Sequence, residues 1–216
     1  SNRSQLATRI PAMPPASAQH RPDLRKAPKQ ARSAETVSVI VEAAARILEQ
    51  AGLGGFTTNA VAERAGVSIG SLYQYFGGKE ALLGALIVRE TSLLITEWER
   101  ALAAPTGRAA LSDLIASAVS HQLRRPVLAR LLDVEEARLP LDKDTLFVTG
   151  RLRAILREVL ARADLRHPLD VDLAAQDVLA IIKGMVDAAG EQAERDQPAL
   201  ARRVGRAVFG YLDGAD

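Results

Sequence analysis

The residues of this chain that can do chemistry on a partner gather between positions 57 and 79, and most of them are neutral hydrogen-bond donors. Tyr73, Tyr75 and Thr58 carry hydroxyls that can donate to phosphate oxygens, and Lys79 adds an ammonium. Gln74 can bond the edge of an adenine, and the Ile69 side chain can touch a thymine methyl. Gly70 and Ser71 are small, which permits close approach to a groove floor. Tyr75 and Phe76 can also pack inward, and for Phe76 that is the reading adopted. Nothing comparable serves catalysis. Cysteine is absent, and His20, His121 and His167 are far apart in sequence. No nucleophile–base pair, metal-ligand spacing or phosphate-cradling glycine loop occurs. The expectation is no catalytic residue, no metal and no cofactor.

The side chains near residue 60 need a holder, and the local sequence supplies one. Thr57 can cap a helix over 58–65 with its hydroxyl, and Ser68 can cap a second over 69–75. Gly66 sits in the turn between them, where a positive φ is cheap only for glycine. Val61, Ala65, Val67 and Leu72 provide a small apolar interior, and Ala62 is small where the second helix crosses. A helix of about seven residues is not stable alone. It must be held out by a scaffold, with Ser68, Ile69, Gly70, Ser71, Tyr73, Gln74 and Tyr75 outward. This is the mechanics of a helix-turn-helix.

The scaffold reads as all-α, with about nine helices. The first runs from about 34 to 51, with Ser33 as its cap, Gly52 past its end and Val37, Ile40, Val41, Ala44, Ile47 and Leu48 as its apolar stripe. A long helix covers about 79–103, and others cover roughly 107–124, 127–138, 142–164, 170–190 and 198–212. Pro105, Pro126, Pro140, Pro168 and Pro198 fall between these segments, where a residue without a backbone donor belongs. No sustained period-two alternation occurs, so no sheet is expected.

Charge is unevenly spread. The chain has 216 residues and a net charge of +2, but residues 1–33 hold seven Lys or Arg against Asp23 alone. That arm also holds Pro11, Pro14, Pro15, Pro22 and Pro28 and lacks periodicity, so it reads as a disordered basic arm. It suits either a polyanionic partner or a solubilising tail. No apolar run reaches the roughly 18 residues that span a bilayer, and no signal-like segment opens the chain. Ser1 and Asn2 in place of a Met read as an expression remnant. The expectation is a cytoplasmic protein without membrane contact.

Residues 34–94 resemble the DNA-binding domain of the tetracycline-repressor (TetR) family. The resemblance rests on Thr57 to Leu83, especially Ala65-Gly66-Val67-Ser68, Gly70, Leu72-Tyr73, Tyr75-Phe76 and Lys79-Glu80-Ala81-Leu82. Gly77-Gly78 departs from the polar or proline-containing linker commoner there. The resemblance implies an all-helical homodimer that binds palindromic operator DNA, usually as a repressor released by a small-molecule effector. Family DNA contacts carry over onto Thr57, Thr58, Ser68, Ile69, Gly70, Ser71, Tyr73, Gln74, Tyr75 and Lys79. It also implies a motif at 57–76 inside the 34–94 domain and a ligand-binding and dimerisation domain over 95–216.

Beyond about residue 95 periodicity carries the reading. Val178, Ile182 and Met185 in one helix, and Val204, Val208 and Tyr211 in the last, lie on stripes wide enough to bury one face inside the subunit and another against a partner. In the family the last two helices form a four-helix dimer interface, and these positions fit it. The resemblance puts an effector pocket among helices between about 79 and 164, where Trp98, His121 and Phe147 are candidates to line it. Asp133, Glu135 and Glu136 form either a solvated helix face or a group favouring a cationic ligand. Two other classes stay open: a regulator whose body binds a protein instead of a metabolite, and a helical enzyme carrying a DNA-binding head.

Overall fold

The structure is a computed structural model that describes residues 26–138, 143–165 and 170–214. It is all-helical among those residues: α1 (Lys26–Gly55), α2 (Thr58–Ala65), α3 (Ile69–Tyr75), α4 (Lys79–Ala101), α5 (Gly107–Arg124), α6 (Pro126–Glu136), α7 (Lys143–Leu160), α8 (Val171–Glu191) and α9 (Gln197–Asp213), with a 3-10 turn at Ala163–Leu165. The expectations for residues 1–25, including Arg25 and His20, and those for Pro140, His167 and Pro168 lie outside the described residues. α1 differs from expectation at its start. Its helix is already formed at Lys26, so Ser33 is an interior position and not a cap. Pro28 falls in the first turn, where its missing donor costs nothing. At the other end Gly52 takes φ 58 and ψ −168, non-helical values that break the helix there as expected, and a short helical stretch continues beyond it to Gly55.

The segment ahead of Val37 is a unit of its own, in which the Thr36 hydroxyl donates to the Arg32 carbonyl at 2.8 Å. From Val37 onward the chain is one compact unit with two apolar clusters. One gathers Ile40, Ala44 and Leu48 of α1, Val61 of α2, Leu72 of α3, and Leu82 and Leu86 of α4. The other gathers Trp98 of α4 with the buried faces of α5, α7, α8 and α9. α4 therefore serves both, its first half feeding one cluster and its second half the other. At 1.5 Å per residue it is about 35 Å long.

Local chemistry sets most of the boundaries. Thr106 caps α5 by accepting from the Ala109 N–H at 3.1 Å, and Asp170 and Asp196 cap α8 and α9 in the same way. The Asp164 carboxylate accepts from the N–H groups of Gly107 and Arg108 at 2.8 and 2.9 Å, which holds it below its ordinary pKa. Arg125 is the single residue between α5 and α6. It precedes Pro126, which disfavours helical geometry, and it takes φ −135 and ψ 66. Pro126 then starts α6 with its φ already set.

Candidate nucleic-acid interface and internal cavity

α2 and α3 form the expected helix-turn-helix. Thr57 accepts from the Ala60 N–H at 3.1 Å and Ser68 from the Ser71 N–H at 3.0 Å, so both capping roles hold. Gly66 has φ 68 and ψ 28, and its N–H reaches the carbonyls of Ala62 and Glu63. Leu72 is fully buried and anchors α3, with Phe76 buried behind it. Truncating a leucine at such a site costs about 2–5 kcal/mol, which is why a seven-residue helix can stand here.

The outer face of α3 presents what the sequence led one to expect. Ser68, Ile69, Gly70, Tyr73, Gln74 and Tyr75 are exposed, and Ser71 is half-buried with its hydroxyl 2.8 Å from that of Ser68. The hydroxyls of Thr58 and Tyr73 lie 3.2 Å apart, joining α2 to α3. A Cβ added at Gly70 would meet only the Ser68 hydroxyl, at 3.9 Å. The fold does not require glycine there. Lys79 is more tied than expected. Its ammonium donates to the Leu53 carbonyl at 3.0 Å and sits 5.7 Å from the centre of the Phe56 ring. One of its three donors is thus taken by the framework.

A cavity of about 420 Å³ opens among α4, α5, α6, α7 and α8. Its apolar wall includes Ile87, Trp98, Leu128, Leu132, Leu152 and Val186. Trp98 is buried and donates from Nε1 to the Leu114 carbonyl at 3.1 Å. His121 also lines the space, and burial holds its imidazole below the ordinary value against the pull of Glu90. Phe147 does not line it: its side chain is 73% exposed, because α7 turns Val148 and Leu152 inward. On one side Lys183 lies 3.2 Å from Asp133, 3.6 Å from Glu136 and 3.3 Å from Asp187. Burial pushes the Asp187 carboxyl up to about 6 despite that ammonium, and the charge of Asp133 adds to the rise. Among the described residues no group of three or more His, Cys, Asp or Glu is placed to hold a metal ion.

The proposed partner-facing stripe of α8 and α9 needs correction. Val178, Ile182, Val204 and Val208 are at most 2% exposed within the chain itself, so they belong to its own core. Met185 and Tyr211 are half-buried, and the Tyr211 hydroxyl donates to Asp177. The exposed positions of α8 are Asp172, Leu173, Gln176, Ala180, Lys183, Gly184 and Glu191.

The order and packing define a helix-turn-helix protein with a helical body. Residues 40–86 match the family described as "Bacterial regulatory proteins, tetR family", and residues 108–212 match "Tetracyclin repressor-like, C-terminal domain". The chain belongs to the tetracycline-repressor family, a family of regulators and not of enzymes. It is 35% identical over 92 residues to the HTH-type transcriptional regulator BetI of Burkholderia thailandensis, covering 41% of this chain and 47% of that protein. The chain thus spans about half the length of the first curated relatives it matches. It is 26% identical over 155 residues to the nucleoid occlusion factor SlmA of a Marinomonas species, covering 68% of this chain and 79% of that protein. Among solved structures, FadR of Bacillus subtilis in complex with stearoyl-CoA shares the fold with a TM-score of 0.68 at 22% identity, over 79% of this chain and 96% of that one. No helix among the described residues is long and apolar enough to cross a membrane.

Proposed function

We propose that the chain is a sequence-specific transcriptional regulator that binds double-stranded operator DNA as a homodimer in the cytoplasm and leaves it when a small molecule fills the cavity. The observation that carries this is the outer face of α3, where hydroxyls, Gln74 and a glycine the fold does not need form one exposed surface. Thr57, Thr58, Ser68, Ile69, Gly70, Ser71, Tyr73, Gln74, Tyr75 and Lys79 make the contacts, with hydroxyls and Lys79 on phosphates and Gln74 on a base. A dimer reads two half-sites about 34–36 Å apart. The partner meets the outward side of α8 and α9, with Met185 and Tyr211 at its edge. The cavity, with Trp98 and His121 in its wall, favours a small-molecule effector over a body that binds only protein.

Selection of duplexes from a random pool tests the DNA reading. A palindromic consensus is the expected result, and no enrichment overturns it. Trp98 is the only tryptophan in the chain and lines the cavity. Its emission should therefore shift when a compound enters, so fluorescence screening of metabolites tests the effector. A library in which no compound both shifts Trp98 and releases the duplex counts against a metabolite effector.

A further inference from the structure

We infer that Arg125 is the positioning residue through which the state of the cavity reaches the DNA-reading helix. The inference rests on the proposed reading of the cavity as an effector site. Arg125 lines the cavity, yet its guanidinium is turned onto α1. Nε donates to one oxygen of Glu49 at 2.8 Å and Nη2 to the other at 2.6 Å, a bidentate pair across 76 positions of sequence. Nη1 reaches Glu42 at 3.4 Å, and Arg89 of α4 holds the same Glu42 oxygen at 3.0 Å. About three quarters of the Arg125 and Glu49 side chains is hidden from solvent. A planar, bidentate and partly desolvated pair fixes direction as well as distance, which an exposed pair does not.

Three features make this pair a link and not only a brace. Arg125 is the sole residue between α5 and α6, so its position follows both helices. α6, which it begins, sends Leu128 and Leu132 into the cluster shared with α1, α2 and α3, while the same two leucines form cavity wall. α1, which it grips, packs Ile40, Ala44 and Leu48 in the cluster that holds Leu72 of α3, and its Leu53 carbonyl anchors Lys79. An occupant that pushes α6 outward therefore draws Arg125 along, and α1 must follow or lose the pair. Leucines can slide past one another; the bidentate pair cannot. In its absence the cavity wall moves without carrying α1.

The test replaces the unknown effector with a wedge built into the cavity. Thr149→Trp enters from the half-buried wall of α7, and Ala118→Trp from the buried wall of α5. Each is made alone and with Glu49→Gln, and circular dichroism confirms that the helices are kept. Fluorescence anisotropy then measures affinity for a duplex selected by the wild-type chain. A wedge should weaken binding about tenfold in the wild-type background and by less than about twofold with Glu49→Gln. Glu49→Asp, which keeps the carboxylate, should retain most of the effect. A general loss of stability would add the same factor in every background. Equal factors with and without Glu49→Gln, or no effect of any folded wedge, overturn the inference alone. A wild-type chain that binds no duplex overturns the regulator reading and this inference with it.

Discussion

The hydroxyls of Thr58 and Tyr73 meet at 3.2 Å across the turn between α2 and α3. Either can donate, so the pair fixes the Tyr73 ring while leaving one proton to point outward. Tyr73 is 52% exposed, and little of its ring is core. Tyr73→Phe should leave the unfolding midpoint nearly unchanged and weaken duplex binding by roughly 1 kcal/mol. The loss should be similar on selected and unrelated duplexes, since a phosphate carries no sequence. Anisotropy on both duplexes checks it. A loss confined to the selected duplex would make Tyr73 a base reader.

Gly66 and Gly70 separate folding from recognition. Gly66 has φ 68, where any side chain is strained, so Gly66→Ala should cost about 1–2 kcal/mol in urea unfolding. At Gly70 the space around an added Cβ is open. Gly70→Leu should therefore fold normally, yet lift α3 from the groove and abolish operator binding. Normal affinity in that variant would mean that α3 does not approach DNA closely.

The outward and inward sides of α8 make opposite predictions. Ile182 is 2% exposed, so Ile182→Glu buries a charge in the chain's own core and should unfold it by several kcal/mol. Gly184 is exposed, with nothing within 4 Å of an added Cβ. Gly184→Arg should keep the fold and yield monomers by sedimentation. A folded dimer from Gly184→Arg would move the interface elsewhere.

How far the sequence could be read follows from where each signal resides. α2, α3 and α5 have the expected boundaries because Thr57, Gly66, Ser68 and Thr106 act on backbone groups within three or four residues. The start of α1 was hidden because proline and dense positive charge there argue for disorder, although Pro28 is harmless in a first turn. Phe147 was misplaced for another reason. An apolar residue near a helix start can face either way until the packing of α7 on its neighbours decides. Val178, Ile182, Val204 and Val208 share that ambiguity, since a wide stripe does not say which part meets a partner. The Arg125–Glu49 pair spans 76 positions and has no local signature at all.

Asp187 gives a pH dependence whose sign is fixed. Its folded pKa is pushed up to about 6 from the ordinary 3.8, chiefly by burial, with Lys183 opposing and Asp133 and Glu136 reinforcing. A raised carboxyl stabilises the fold in its neutral form, so the contribution is complete below about pH 4 and is lost as pH rises through about 6. Asp187→Asn should gain on the wild type by about 1–2 kcal/mol between those limits, solvent screening keeping it below the full shift. Glu42 and Asp164, whose pKa values are lowered, act in the opposite sense at lower pH, and the mutant difference cancels them. Urea unfolding from pH 4 to 8 checks it. Parallel curves would show that Asp187 ionises normally.

The salt dependence of DNA binding should reveal the basic segment ahead of the motif. Residues 34–80 hold Arg46, Arg64 and Lys79 against Glu35, Glu42, Glu49, Glu63 and Glu80, so the reading head is itself acidic. All three cations have partners within it: Arg46 pairs with Glu42 at 2.8 Å, and Lys79 is held by the Leu53 carbonyl. Arg64 is bonded to Gln50. Affinity for a polyanion must then draw on charge from elsewhere, and Lys26, Lys29 and Arg32 stand three residues apart along the first turns of α1. Deleting residues 1–32 would cut into that helix, so replacing the three by alanine is the cleaner variant. Each phosphate that is no longer neutralised should flatten the slope of log affinity against log salt by about 0.9, giving a change of about one to three units per subunit. Discrimination between selected and unrelated duplexes should hold if these cations contact only phosphates. Binding isotherms from 50 to 300 mM salt (about a sixfold range, enough to resolve one unit of slope) measure it. A slope equal to that of the wild type would show that these cations do not touch DNA and that the head binds through its neutral donors alone.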